Sequence, residues 1–226
     1  MNRILQMLEL QQELNDATNG LNWEDGTTKN GKKIDWRRCI YLEAAELVES
    51  YPWKHWKNID ASPDYANIKI EIVDIWHFVM SEALRLYKIE NLGSISDIAI
   101  TVTKMQGFNE FLNAEQGKQL DVYEEISLVE DMIKILFCES DINSLLISFL
   151  TMASKLNLKL PELYELYIGK NILNKFRQNH GYKEGSYIKE WNGKEDNVIM
   201  QAILASKSDI TPEALYVALE LKYPKA

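Results

Sequence analysis

Cysteine is nearly missing: Cys39 and Cys138 are the only two in 226 residues, and they fit neither a zinc-ligand nor a disulfide framework. Both sit in apolar helical stretches, which predicts buried thiols in a reducing compartment. Long apolar runs are also missing. No stretch reaches the roughly 20 apolar residues of a membrane span. The opening residues, MNRILQMLELQQELN, carry Gln and Glu where a signal peptide needs an unbroken apolar core. Positive charge is in short supply: 25 Lys and Arg against 34 Asp and Glu, a formal net charge of −9. That balance argues against a nucleic-acid backbone as the main partner, because such binding needs clustered cations. Strand-like alternation of useful length does not occur. The expectation is a soluble, cytoplasmic, all-α protein, one domain over residues 1–226, with neither membrane nor nucleic acid as its partner.

What is present concentrates between Trp36 and Leu86. Two acidic spacings, Glu43-x-x-Glu46 and Glu71-x-x-Asp74, sit in otherwise apolar helical patterns, and residues three apart share a helix face. With Glu43 at zero and about 100° per residue, Leu47, Ile40, Ala44 and Val48 fall between about 40° and 140°. Glu43 therefore borders the apolar face, Glu46 lies at about −60°, and Glu49 is turned towards water at about −120°. The next helix is predicted over Pro63–Tyr87, with Ser62 as its cap and Asp64 as an early acid. Counted from Glu71, its apolar residues Ile75, Ile68, Val79, Ile72, Trp76 and Met80 span about 40° to 180°. A helix apolar on so many sides is buried. Its carboxylates, Glu71 and Asp74, must then be paired or metal-bound, because uncompensated buried charge is costly. Four carboxylates from two helices make an oxygen site for hard divalent cations, which usually work on phosphates. A salt-bridge network is the competing explanation.

The rest of the chain can be asked whether it supplies a substrate for such a site. In a first helix over Ile4–Leu14, Gln11 and Asn15 are four apart and share a face; taken alone they read as surface amides. Asp16–Lys33 is loop, marked by Asn-Gly and Asp-Gly turns, with Trp23 as a packing anchor. Further helices are predicted over Ser94–Glu110, Gln119–Glu139 and Asp141–Leu156. A helix opened by Pro161 carries Lys170, Asn174 and Arg177 on one stripe. The composition then changes: HGYKEGSYIKEWNGKEDN, residues 180–197, gathers three glycines, two tyrosines and three lysines. It reads as a mobile lid over phosphates, against a rigid core of 1–90 and 120–180, or else as a solvated loop. Thr211-Pro212 starts a last amphipathic helix.

Two acidic helical motifs separated by the 24 residues from Leu47 to Ile70 resemble the all-α nucleoside triphosphate pyrophosphatase superfamily. The acid often found just before the first ligand is Leu42 here. Longer stretches are more specific. SYPWKHWKN (50–58), IKIEIVDIWHF (68–78), KNILNKFRQ (170–178), GYKEGSYIK (181–189) and the early Leu10–Asn15 pattern resemble the dimeric dUTPases. That resemblance implies a homodimer acting on dUTP and dUDP with two or more Mg²⁺ per site, Mn²⁺ being a substitute. It implies Glu43, Glu46, Glu71 and Asp74 as metal ligands, and Gln11 (or its neighbour Gln12) and Asn15 facing the nucleoside. Trp53, Trp56, His77 and Phe78 would wall the base, and Asn174 would bond uracil or deoxyribose. Lys170, Arg177, Tyr182, Tyr187 and Lys189 would contact the phosphates, with Glu195, Asp196 and Asn197 shaping the end of the lid.

On this reading Glu46, further towards the polar side than Glu43, is the expected general base that takes a proton from water. Three other readings stay open. The protein could be a pyrophosphatase for another nucleotide such as dCTP, which would change only the amide positions. A carboxylate-bridged iron or manganese bundle is suggested superficially by Asp74-x-x-His77, but usually needs two Glu-x-x-His motifs, and the chain holds only His55, His77 and His180. A non-catalytic helical scaffold would need none of the acids.

Overall fold

The computed structural model describes residues 3–57, 60–113, 120–206 and 210–224. These contain ten α-helices, one 3₁₀ turn and one two-residue-per-strand hairpin, so the chain is all-α. Asn58, which closes the SYPWKHWKN stretch, and Gln119, where a helix was expected to start, lie outside the described residues. The backbone separates into two compact units, Met1–Leu163 and Tyr164–Ala226.

In the first unit, α1 (Arg3–Asn19) leads through a 3₁₀ turn (Trp23–Asp25) to α2 (Trp36–Glu49) and α3 (Tyr65–Ile89). The cap of α3 is not where the Ser-Pro-Asp signal placed it. Asp64 itself caps the helix, its carboxylate accepting from the backbone N–H of Asn67 at 3.0 Å. A carboxylate is both a good acceptor for the orphan amides and a favourable charge at the helix start. As its all-round apolar pattern requires, α3 is the core: nearly every position from Ile68 to Tyr87 is buried. Around it pack α2, α1 and α7 (Ile142–Lys155). The contacts are aromatic. Trp76 stacks on Phe149 of α7 at 4.8 Å between ring centroids, Trp36 of α2 stacks on Phe78 at 5.9 Å, and Trp23 meets Trp36 edge-on at 5.6 Å. Trp23 is fully buried and donates its indole N–H to Asp16 at 2.9 Å, which makes it the packing anchor its loop needs.

The helix expected over Ser94–Glu110 is two helices, α4 (Ile95–Lys104) and α5 (Phe108–Asn113). Gly107 between them takes φ = +86°, a left-handed value that ends one helix before the next begins. Then come α6 (Val122–Cys138) and α7, each with an Asp N-cap. The cysteines correct the sequence reading: Cys39 is half-buried and Cys138 exposed. Cys39 lies about 40° to the polar side of Glu43, and Cys138 about 160° from the buried Leu136. Apolar surroundings in sequence did not mean a place on the apolar face.

Arg37 pins the start of α2. Its guanidinium pairs with the buried Glu82 of α3 at 3.2 Å and donates to the carbonyls of Leu136 (2.8 Å), Glu139 (2.9 Å) and Ser140 (3.3 Å) at the end of α6. The carbonyls of Leu136 and Glu139 are among the groups a helix C-terminus leaves without intrahelical partners.

The second unit holds most of α8 (Leu160–Asn179), the hairpin β1 (Glu190–Trp191) and β2 (Lys194–Glu195), α9 (Asp196–Ser206) and α10 (Pro212–Lys222). The helix α9 had no counterpart in the sequence reading. Its core is aromatic, with Phe176 touching Tyr187, Trp191, Tyr216 and Tyr223. Gly169 of α8 allows α9 to approach: a Cβ there would sit 2.7 Å from Met200 Sδ and 2.8 Å from Leu204 Cδ1. No helix among the described residues is long and apolar enough to cross a membrane.

Arg37→Ala is expected to lower the unfolding free energy by about 1–3 kcal/mol, since it strips three carbonyls and one buried carboxylate of a donor. Urea denaturation followed by tryptophan fluorescence checks this; an unchanged midpoint would refute the anchoring role.

Candidate active site

Helices α2 and α3 bring Glu43, Glu46 and Glu71 to one place, with one carboxylate oxygen from each within 4.8 Å of the others. Glu71 is buried, Glu43 half-buried and Glu46 exposed; on α2 the angles place Glu43 nearer the apolar face than Glu46. At that spacing two carboxylates repel by about 1 kcal/mol in water and about 3 kcal/mol at an effective dielectric constant of 20. The cluster is stable only against some compensating charge or donor. One donor is visible: the Asn67 side-chain amide bonds Glu71 Oε1 at 3.0 Å. Asp74, half-buried on the same helix, is not one of the three convergent acids. Glu49, turned outward as expected, pairs with Lys54. An all-carboxylate oxygen set of this kind fits Mg²⁺ or Mn²⁺ by hardness. It does not resemble a His-rich iron site, because His77 is directed elsewhere.

His77 belongs to a buried polar network on the same helix. Its Nδ1 lies 2.7 Å from Gln11 Oε1; since a carbonyl oxygen only accepts, Nδ1 carries the proton. The Gln11 amide nitrogen donates to Ser81 Oγ at 3.0 Å and to Asn15 Oδ1 at 3.2 Å. Asn15 donates to the same Ser81 oxygen at 3.0 Å, and the Ser81 hydroxyl donates to the carbonyl of His77 at 2.8 Å. Each bond fixes the orientation of the next amide. Gln11 and Asn15 are each 3% exposed, so they are not surface amides. Gln12, the other candidate, bonds Asp16 and Glu24. The network thus separates the two glutamines. Ser81 was missed by sequence reading; a lone serine deep in an apolar helix, four residues after a histidine, was the available signal.

The aromatic residues divide into two groups. Phe78 stacks on Trp36. Trp53 and Trp56, in the segment after α2, meet edge-on at 5.6 Å; Trp53 is half-buried and Trp56 is 63% exposed.

In the second unit the predicted cationic stripe is built around a buried acid. Arg177 donates to both oxygens of Asp196, Nε to Oδ2 and Nη2 to Oδ1, each at 2.8 Å. It also reaches Asn174 Oδ1 at 3.0 Å and Asn197 Oδ1 at 3.3 Å. Tyr187 donates to Asp196 at 2.8 Å, and the buried Lys170 donates to Asn197 at 3.0 Å. Burial raises the Asp196 pKa, but the Arg177 guanidinium and the Tyr187 hydroxyl outweigh it and hold the carboxyl below its ordinary 3.8. Burial first, and then Asp196, push the Tyr187 phenol up, so it remains a donor. Tyr182 is 48% exposed with Arg177 5.9 Å from its ring centroid, and Lys189 pairs loosely with Glu195 at 3.7 Å.

An all-helical scaffold with acids converging from two neighbouring helices, and buried amides of α1 bonded to His77 and Ser81 of the core helix, is the architecture of a helical nucleotide hydrolase. The chain belongs to the all-α dUTPase family: the family's sequence model, described as dUTPase, matches residues 3–182. The match takes in both acidic helices, the amide network and α8, and it implies dUTP diphosphatase activity. Comparison with curated proteins gives no match.

Because the Asp196 carboxyl is depressed in the folded state, its contribution to stability is fully present above the ordinary carboxylate pKa and is lost as pH falls through the lower folded value. Asp196→Asn leaves a largely buried guanidinium without its counter-charge and is expected to cost about 3–5 kcal/mol at pH 7. The difference should shrink as pH falls through the lowered pKa of Asp196 in the folded state. Equal stability at pH 7 would show that the pair contributes nothing.

Proposed function

We propose that the protein hydrolyses dUTP to dUMP and pyrophosphate, and dUDP to dUMP and phosphate, at a divalent-metal site formed by Glu43, Glu46, Glu71 and Asp74. The observation that carries this reading is the convergence of three carboxylates within 4.8 Å in a chain of the dUTPase family. When bound, Mg²⁺ would neutralise the acids and phosphate oxygens and lower the pKa of a water molecule. Glu43 and Glu71, held against the core, supply fixed negative charge. Glu46, the exposed member, is the base: it takes the proton as the water oxygen attacks phosphorus and the bond to the leaving phosphate breaks.

Specificity is assigned to the buried amides. Uracil offers a carbonyl–NH–carbonyl edge, and Gln11, Asn15 and His77, locked by Ser81, cannot reorient to suit a different pattern without leaving buried groups unsatisfied. Trp53, Trp56 and Phe78 are assigned to the base walls, and Asn174 to the uracil or sugar. Lys170, Arg177, Tyr182, Tyr187 and Lys189 are assigned to the phosphates, where cations and hydroxyls stabilise developing charge. Residues 180–197 act as the lid of a single catalytic domain, which functions as a cytoplasmic homodimer.

Glu46→Gln keeps the size of the side chain and removes the base, so kcat should fall by about 10²–10⁴-fold. The wild-type enzyme assayed with dUTP, dUDP, dCTP, dTTP and UTP, measuring phosphate and pyrophosphate, should favour the deoxyuridine nucleotides; faster dCTP hydrolysis would end the reading. Gln11→Leu should raise KM for dUTP about tenfold and narrow the preference over dCTP, as loss of a buried hydrogen-bond set does. An unchanged dUTP/dCTP ratio of kcat/KM would remove Gln11 from the base site.

A further inference from the structure

One side chain that the proposed chemistry does not use joins the two acidic helices directly. The Asn67 amide nitrogen has two hydrogens and donates both: one to Glu71 Oε1 at 3.0 Å, the other to Ser50 Oγ at 2.9 Å. Ser50 is the C-cap of α2, and its hydroxyl donates to the carbonyl of Glu46 at 3.3 Å. The backbone N–H of Asn67 is engaged by the Asp64 cap, so the side chain is the part available for this link. A chain of three hydrogen bonds therefore runs from the backbone of Glu46, through Ser50 and Asn67, to the carboxylate of Glu71.

We infer that Asn67, held by Ser50, is a positioning residue that sets the carboxylate of Glu71 for binding a divalent cation. The inference rests on the acidic cluster being a metal site, as proposed above. Three features support it. Glu71 is the most buried of the three acids, so its carboxylate has the least water to orient it. It also faces repulsion from Glu43 and Glu46, which a fixed N–H donor offsets. Finally, Asn67 and Glu71 both stand on α3, and the bond from Asn67 to Ser50 ties that pair to the end of α2, so the same bonds hold the spacing between the two halves of the site. Hydrogen bonds to metal-ligating carboxylates are known to tune affinity by about 10–100-fold.

The test is direct binding of Mn²⁺ to the full-length protein without nucleotide, followed by the electron paramagnetic resonance signal of the free ion. Wild type, Glu71→Gln, Asn67→Leu and Ser50→Ala are compared, with helix content checked by circular dichroism. Asn67→Leu keeps the shape and removes the donors. The expected result is a Kd for Mn²⁺ raised about 10–100-fold by Asn67→Leu and about 3–10-fold by Ser50→Ala, which loosens the amide without removing it. A merely structural Asn67 would lower Tm and leave Mn²⁺ affinity within twofold of wild type, and that result overturns the proposal while leaving the metal site standing. If Asn67→Leu does not fold, Ser50→Ala decides by the same criterion. Wild-type protein that binds no Mn²⁺, or Glu71→Gln that binds as tightly as wild type, overturns both this inference and the metal reading beneath it.

Discussion

Like charges held close together are the constraint on which the first unit depends. Glu43, Glu46 and Glu71 repel one another at 4.8 Å or less, and that repulsion acts to push α2 and α3 apart. What holds them is the surrounding packing. The apolar face of α2 lies on α3, Trp36 stacks on Phe78 about two turns from the acids, and Arg37 fastens the first turn of α2 to both α3 and α6. Hydrophobic burial, which is roughly proportional to area and indifferent to direction, supplies the force. The hydrogen bonds of Arg37 and Asn67 supply the direction.

The same core helix carries a second task. Counted from Glu71 at about 100° per residue, Asp74, Ser81 and His77 lie near −60°, −80° and −120°, so the acids grade into the polar network along one side of α3. Glu71, His77 and Ser81 are thus set on one rigid element. That arrangement keeps their spacing fixed better than two loops could. Gln11 and Asn15 join from α1, and the locked orientation of each amide is a property of the whole ring of bonds rather than of any one residue.

In the second unit the logic is reversed. Arg177 and Tyr187 are organised by a buried carboxylate, Asp196, at the first position of α9. In a buried bidentate ion pair of this sort, removing either partner leaves the other charge uncompensated. It also keeps a guanidinium, a phenol and an ammonium close together, with their donors sharing two neighbouring acceptors, Asp196 and Asn197.

Periodicity alone was enough for the all-α class, for α3 as the buried helix, and for the outward turn of Glu49, because each depends only on angles within one helix. It also ordered Glu43 and Glu46 by exposure. What it could not supply were partners. The burial of Gln11 and Asn15 was invisible because their partners, Ser81 and His77, are about seventy residues away. Cys39 and Cys138 were misjudged because neighbours in sequence are not neighbours in space. The cap of α3 moved to Asp64, and α9 went unseen, because local signals compete and packing chooses among them. The sequence by itself determined the helical class and the apolar faces of α2 and α3, since those are one-helix properties. Only the tertiary structure decided that Glu43, Glu46 and Glu71 meet, and that Asn67 and Ser50 stand between them, because that outcome depends on how one helix packs against another.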